Sequence, residues 1–397
     1  MDKPAKRIEI LEESQTIAMA KASRQLKAQG FDVVNLSFGE PDFKTPVHIR
    51  EAAKKFLDGG YVYYTPVAGI PDLRKAICEK FKRENNLDFT PEQIVVSTGA
   101  KHSLMNLILV LVEEGDEVII PTPYWVSYSE MVKLAEGKSI FVNGSEENNF
   151  KITPEQLEKS ITDKSRLFLF SSPCNPTGSV YTKEELHAIA KVLAKYPNIY
   201  VVADEIYEHI NFMGKHESIS QFEELKDRVV VVNGVSKAFA MTGWRLGYIG
   251  APLWIAAACD KLQSQFTSGT NAIAQHAAIA ALNSPMESTK AMCEIFKHRR
   301  DKVYDRIKKI KGFDSKLPDG AFYFFPNVSY YFGKKNGDKV ISNGEDLCNY
   351  LLHEAHVAIV PGSAFGAEGY VRISYAASEE DLIKALDRIE AALNKLQ

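Results

Sequence analysis

The stretch VVVNGVSKAFAMTGWRLGYIG, Val230 to Gly250, opens as an unbroken apolar run and breaks at Asn233-Gly234. Lys237 stands just past the break, and Arg245 follows eight residues later within a second run, RLGYIG. An apolar run without alternation predicts a strand covered on both faces, as in parallel sheets. Two cations so close in sequence repel one another unless water or a shared anion separates them. The strand-then-turn pattern recurs upstream. IVV (Ile94 to Val96) leads into a helical pattern from His102 to Leu111, and EVII (Glu117 to Ile120) into PTPYWVSY. RLFLF (Arg166 to Phe170) leads into SSPCNPTG, and NIYVVADE into IYEHI. Such strands separated by helices predict an α/β fold, a mostly parallel sheet flanked by helices. Ligands of these sheets bind outside the carboxyl ends of the strands.

The two ends of the chain carry a different pattern. A polar helical run from Glu12 to Gln29 stops at Gly30. Beyond Pro285 a long charged helical run, MESTKAMCEIFKHRRDKVYDRIKKI, leads to GAFYFF and then YVRISYA. The 397 residues exceed what one core usually covers. The expectation is a large α/β domain at 46–284 and a smaller α+β domain made from 1–45 and 285–397. A net charge of -3 leaves no basic footprint for nucleic acid or an anionic membrane. Apolar runs such as LILVLV (Leu107 to Val112) are too short to span a bilayer, and MDKPAKRIEI holds no apolar signal core. The five cysteines form no CxxC pair, which suits a reducing compartment. A cytoplasmic protein without a membrane or nucleic-acid partner is expected.

The residues just past each strand form an unusual set. STGAKHSL is a small-residue turn opening a helix, whose free N–H groups suit a phosphate, although many strand-to-helix turns contain glycine. Trp125 offers a ring for stacking, or a plain rim aromatic. Asn175 begins NPTG, an ordinary turn sequence by itself. Asp204 ends a buried strand, where a carboxylate is costly without a cation; its everyday role would be the N-cap of a helix over EIYEHI. Tyr207 would then share its face one turn on. Ser236, Lys237 and Arg245 complete the set, against the default of a solvated surface lysine.

One ligand asks for all of these together. Pyridoxal 5′-phosphate needs a phosphate cup, a stacking ring, an acid beside its pyridine nitrogen, donors to its ring oxygen and a lysine for its aldehyde. Competing motifs are missing. No G-x-G-x-x-G occurs, and GKS at Gly137 has Val132 where a P-loop needs glycine. HESIS at His216 lacks a zincin's second histidine, and no G-x-S-x-G exists. His353 and His356 are spaced to share a helix face, but two histidines alone are poor grounds for a metal site. No metal is expected.

The segments LSFGEPDF, YTPVAGIPDLR, PTPYWVSY, SSPCNPTG, VVADEIYEH, SKAFAMTGWRLGY and VRISYA, which follow one another along the chain in the family's order, together resemble the class I aminotransferases among fold type I pyridoxal-phosphate enzymes. The bacterial aspartate aminotransferase subgroup, some of whose members also use prephenate, is the most similar. The resemblance implies that Lys237 bonds the cofactor's aldehyde and then shuttles the substrate proton. It gives Arg245 and Ser236 to the phosphate, with the backbone of Gly99, Ala100 and Lys101. Asp204 would meet the pyridine nitrogen, Tyr207 and Asn175 the ring oxygen, and Trp125 the ring face. Arg372 would grip the substrate α-carboxylate beside Asn175 and the backbone of Gly39. Tyr64 would reach the phosphate of a neighbouring subunit, which implies a homodimer with shared active sites.

The same resemblance bears on the substrate. Many aspartate aminotransferases bind the distal carboxylate with an arginine lent by the other subunit, yet no arginine lies between Arg245 and Arg299 here. In the bacterial subgroup a lysine of the GAK loop serves, helped by a hydroxyl near the N-terminus; Lys101 and Thr16 match, with Ser14 nearby. Lys101 could otherwise be a plain helix-start lysine. Aspartate with 2-oxoglutarate, in ping-pong order, is the expected substrate pair. Prephenate, aromatic or alanine transamination and a pyridoxal-phosphate lyase are the alternatives. Cys174, beside Asn175, is either a thiol near the pocket or an inert buried one.

Overall fold

The computed structural model describes residues 4–397. Seven strands form the central sheet: β1 (Ile94–Ser97), β2 (Glu117–Thr122), β3 (Lys138–Asn143), β4 (Ser165–Ser171), β5 (Tyr200–Asp204), β6 (Val229–Gly234) and β7 (Gly247–Gly250). Their spatial order is β1-β7-β6-β5-β4-β2-β3. The run β6, β5, β4, β2, β3 pairs in parallel, whereas β7 is antiparallel to both β1 and β6. The valines of β6 show why the run reads as continuous. Val230 and Val232 pack into one apolar cluster, while Val231 and Val229 enter clusters on the opposite side, and all four are essentially without exposure. A strand with helices on both faces has no side on which a polar residue could sit.

β3 is the strand that the apolar runs do not mark. It lies at the sheet edge, where only Val142 is buried, so KSIFVN mixes polar and apolar residues. Two local expectations are also corrected. EIYEHI forms a string of turns rather than a helix. His353 ends the helix Gly344–Glu354, whereas His356 lies beyond it with a φ of 52°, so the two share no helix face. The polar N-terminal pattern becomes a helix over Gln15–Ala28, with Ser14 at its N-cap.

A further apolar cluster gathers both ends of the chain. Leu36 shares it with Phe296, Val303, Phe322, Phe324, Ile373, Leu386 and Ile389, with Tyr207 and Ile210 joining from the middle. Here Val371–Ser374 pairs antiparallel with Tyr323–Phe324 on one side and Val360–Pro361 on the other. The helices Glu287–Ile307 and Glu379–Leu393 supply much of the cluster. Among the described residues, no helix is long and apolar enough to cross a membrane.

One close approach aims the sheet at its ligand site. A Cβ on Gly247 of β7 would lie 2.2 Å from the backbone N of Ala100, the first residue of the helix Ala100–Leu111. That helix start can rest on the sheet only because β7 carries glycine there. Gly247→Ala should therefore lower stability by about 3 kcal/mol, as overpacking against backbone does. A shift in the urea midpoint checks it, and an unchanged midpoint would contradict the packing described.

Candidate active site

A cavity of ≈ 450 Å³ opens at the carboxyl ends of the central strands. Lys237, Ser236 and Arg245 border it from the segment after β6, and Asp204 and Tyr207 from the end of β5. Asn175 enters from the loop after β4, Trp125 from the loop after β2, and Ala100 and Lys101 from the helix after β1. The chain ends add Thr16, Ser14 and Gly39 from one side and Arg372 from the other. Gly99 stands behind this wall, and Tyr64 lies away from it, 100% exposed.

Lys237 is the central group. Its Nζ donates to the backbone oxygen of Gly39, and it lies 5.8 Å from the centre of the Tyr207 ring. Burial brings its ammonium down to about 8, aided by Arg245 and Arg372 and opposed by Glu40 and Asp204. A lysine of this kind has a sizeable neutral fraction near pH 8, and the neutral amine is a nucleophile and base.

Asp204 is its counterpart. Burial pushes this carboxyl up to about 6, against the pull of the groups that donate to it. Those donors are the Tyr128 hydroxyl, 2.8 Å from Oδ2, and the Ile206 N–H, 3.3 Å from Oδ1. Asp204 thus makes a cap-like local bond without a helix to cap. Tyr128 was not singled out in the sequence. Its aromatic ring, edge-on to Trp125 at 5.5 Å, would pass for core in any sequence, and its hydroxyl meets Asp204 only through the fold.

Arg372 is 2% exposed, sandwiched between the rings of Tyr323 and Phe365 at 4.5 and 4.9 Å. Its Nη1 donates to Asn175 Oδ1 at 2.9 Å and its Nη2 to the oxygen of Ser37 at 2.6 Å, while its Nε is buried without a partner. Tyr323, a second residue that the sequence left unmarked, shares a 2.7 Å hydroxyl contact with Tyr207. A Cβ on Gly39 would lie 2.3 Å from the Tyr323 hydroxyl, so glycine is needed where the N-terminal segment crosses the site.

Arg245 takes a left-handed backbone, φ 53°, and its Nη1 donates to the oxygen of Thr242 at 3.0 Å. A Cβ on Gly99 would strike Arg245 Nη2 at 2.4 Å, so the glycine turn and the guanidinium interlock at the helix start. With Ser236 beside it, this corner offers the donors a phosphate requires. Lys101 sits 5.2 Å over the Trp125 ring, its ammonium lowered by burial and by Arg245 although part of the side chain is open to solvent. The Thr16 hydroxyl is buried without a partner at the same rim. A half-buried amine, a buried carboxyl and unpartnered buried donors suit an anionic, ring-shaped cofactor carrying an aldehyde and a phosphate. Cys174 lies apart from the cavity wall, its thiol raised by burial and 3.6 Å from the oxygen of Pro123.

A lysine of lowered proton affinity and a buried acid thus border one cavity together with two arginines. The chain belongs to the family "Aminotransferase class I and II", whose model matches residues 32–389, and it is an aminotransferase. It is 46% identical over 99% of its length to the whole of an aspartate/prephenate aminotransferase of Nitrosomonas europaea. It is 47% identical to an aspartate aminotransferase of Bacillus subtilis, covering 99% of each chain. Among solved structures, the aspartate aminotransferase of Rhizobium meliloti matches with a TM-score of 0.97 at 42% identity over 100% of both chains. That of Thermus thermophilus with maleate matches with a TM-score of 0.92 at 40% identity, covering 99% of this chain and 100% of the other.

Tyr128→Phe tests the electrostatics of the site. The folded pKa of Asp204, about 6, lies above an ordinary aspartate's, so the ionised form is penalised and stability falls as pH rises towards 6. The Tyr128 hydroxyl offsets part of that penalty, and only for the ionised carboxylate. Its loss should cost about 2 kcal/mol at pH 8 and markedly less at pH 5. Denaturant unfolding of the cofactor-free protein at both pH values checks this; an equal cost at each would contradict it.

Proposed function

We propose that the chain binds pyridoxal 5′-phosphate and moves the amino group of L-aspartate to 2-oxoglutarate, as a cytoplasmic homodimer. The observation that carries the proposal is the pair of cations, Arg372 and Lys101, that line the cavity together with Lys237. Arg372, with an unpartnered Nε and Asn175 beside it, suits the α-carboxylate, and Lys101 over Trp125 suits a second one. The Thermus thermophilus relative was solved with maleate, a four-carbon dicarboxylate, which supports a substrate with two acid groups.

Each residue has a physical task in this proposal. The cofactor, when bound, supplies an electron sink for the negative charge that develops at the substrate Cα. Asp204 would hold the cofactor's ring nitrogen in its protonated form, and Tyr128 keeps Asp204 in place. Lys237 would take the proton from the substrate Cα and give it back, a role that its lowered pKa favours. Arg372 presents a planar fork that matches a carboxylate in two bonds, which a lysine could not do. Arg245, Ser236 and the N–H groups after Gly99 would hold the phosphate, Tyr207 and Asn175 the ring oxygen, and Trp125 the ring face.

The split of the chain into 46–284 and the two ends belongs to the same proposal, supported by the separate apolar cluster that joins Leu36 to Phe296 and Leu386. The exposed aromatics Tyr61, Tyr63 and Tyr64, at 72%, 73% and 100%, support a partner subunit covering them. Prephenate is the second substrate to weigh, because the Nitrosomonas europaea relative and several others carry that name and Lys101 suits its extra carboxylate equally. Lys101→Ala should reduce kcat/KM for aspartate by about a hundredfold, as loss of a charge-assisted contact does, and far less for alanine or phenylalanine. Equal losses across the three would overturn the assignment.

A further inference from the structure

The turns after β5 have two faces. Asp204 and Tyr207 point into the cavity, while Glu205 and Glu208 point away from it into a closed set of charges. Glu208 is held on both oxygens: Oε1 by the Lys80 ammonium and by Asn233 Nδ2 at 2.8 Å, Oε2 by Asn85 Nδ2 at 2.7 Å. Lys80, 1% exposed, also reaches Asn85 Oδ1 at 2.7 Å and lies 3.5 Å from Glu84, which meets His209 at 2.9 Å. His216 closes the set, its Nε2 3.1 Å from Glu205 Oε2; the two residues are 7% and 2% exposed. Glu205, Glu208 and His216 stand close enough together to hold a metal ion, but Glu208 is already engaged by an ammonium that would repel one.

Unlike Glu208, Glu205 depends on His216. The Glu205 Oε2 and the His216 ring nitrogens find no other side chain or backbone partner, so the 3.1 Å contact between them is what each has. Glu205 follows Asp204 directly, and its N–H is fixed to the oxygen of Val232 at 2.9 Å. A buried carboxylate there acts on Asp204 at short range through a medium that screens poorly.

We propose that His216 is a positioning residue for Asp204: held against Glu205, its positive charge balances the carboxylate behind the turn and sets the field at the group Asp204 faces. The charges facing His216 are Glu205 and Glu208 from the turns and Lys80 from the helix Pro71–Lys80. Burial alone would strip the ring of its proton, and Glu205 followed by Glu208 more than restores it. The proposal rests on the assignment of Asp204 to the pyridine nitrogen of bound pyridoxal phosphate.

Two substitutions and one spectrum test it. His216→Gln leaves the Glu205 charge unbalanced, which favours protonation at the cofactor. The pH midpoint of the visible absorbance of the loaded enzyme should rise by roughly half a pH unit. Glu205→Gln removes the negative charge, and the midpoint should fall or stay in place. A merely structural pair would loosen the site alike in both variants, so a rise in both, or none in His216→Gln, overturns the proposal. NMR of the unsubstituted, cofactor-free protein should find the His216 ring charged at pH 7, whether or not either variant folds; a neutral ring overturns the proposal as well. If the unsubstituted protein took up pyridoxal phosphate without any visible chromophore, the cofactor assignment would fall and this proposal with it. A chromophore indifferent to His216→Gln removes this proposal alone.

Discussion

An excess of positive charge around one cavity is the constraint on which the rest of the structure depends. Lys101, Lys237, Arg245 and Arg372 border it, against only Glu40 and Asp204. Arg372 is buried and Lys237 half-buried, where unpaired charge is costly. The cost is met locally by dipoles, the backbone oxygens of Ser37 and Gly39 and the amide oxygen of Asn175. None of those acceptors neutralises the charge, and burial lowers the proton affinity of Lys237 in consequence. A phosphate and a carboxylate would neutralise it.

That constraint explains why distant segments meet. Ser37 and Gly39 come from the first tenth of the chain and Arg372 from the last, yet both contact residues that follow central strands. Glu40 continues the connection by accepting from Thr242, and Asp42 by a two-pronged pair with Arg299 at 2.6 and 2.9 Å. The N-terminal segment is therefore a strap that ties the chain ends to the wall holding Lys237. Beneath the floor, the charges around Lys80 and Glu208 tie down the turns bearing Asp204 and Tyr207.

Much of this was legible in the residues. Strands β2, β4, β5 and β6 could be found because burial on both faces leaves no polar position, and Lys237, Asp204, Asn175 and Arg245 could be found because they stand at the exits. β3 escaped because an edge strand has one wet side. The turn residues Asp204–Tyr207 look helical in sequence, but Glu205 and Glu208 are drawn into buried charge pairs that fix a different backbone. Tyr128 and Tyr323 carry no local mark at all, since a hydroxyl that meets Asp204 or Tyr207 across 76 or 116 residues is a product of the tertiary fold. The place of Tyr64 belongs to a surface that one chain leaves uncovered.

The central claim is that Lys237 and its surroundings transfer an amino group and stop there. The direct measurement is a single half-reaction: enzyme loaded with pyridoxal phosphate is mixed with aspartate, no oxo acid is added, and oxaloacetate is counted. One oxaloacetate per active site, with turnover resuming only when 2-oxoglutarate is supplied, is the predicted result. Continued product formation with release of ammonia, or no oxaloacetate at all, would contradict it.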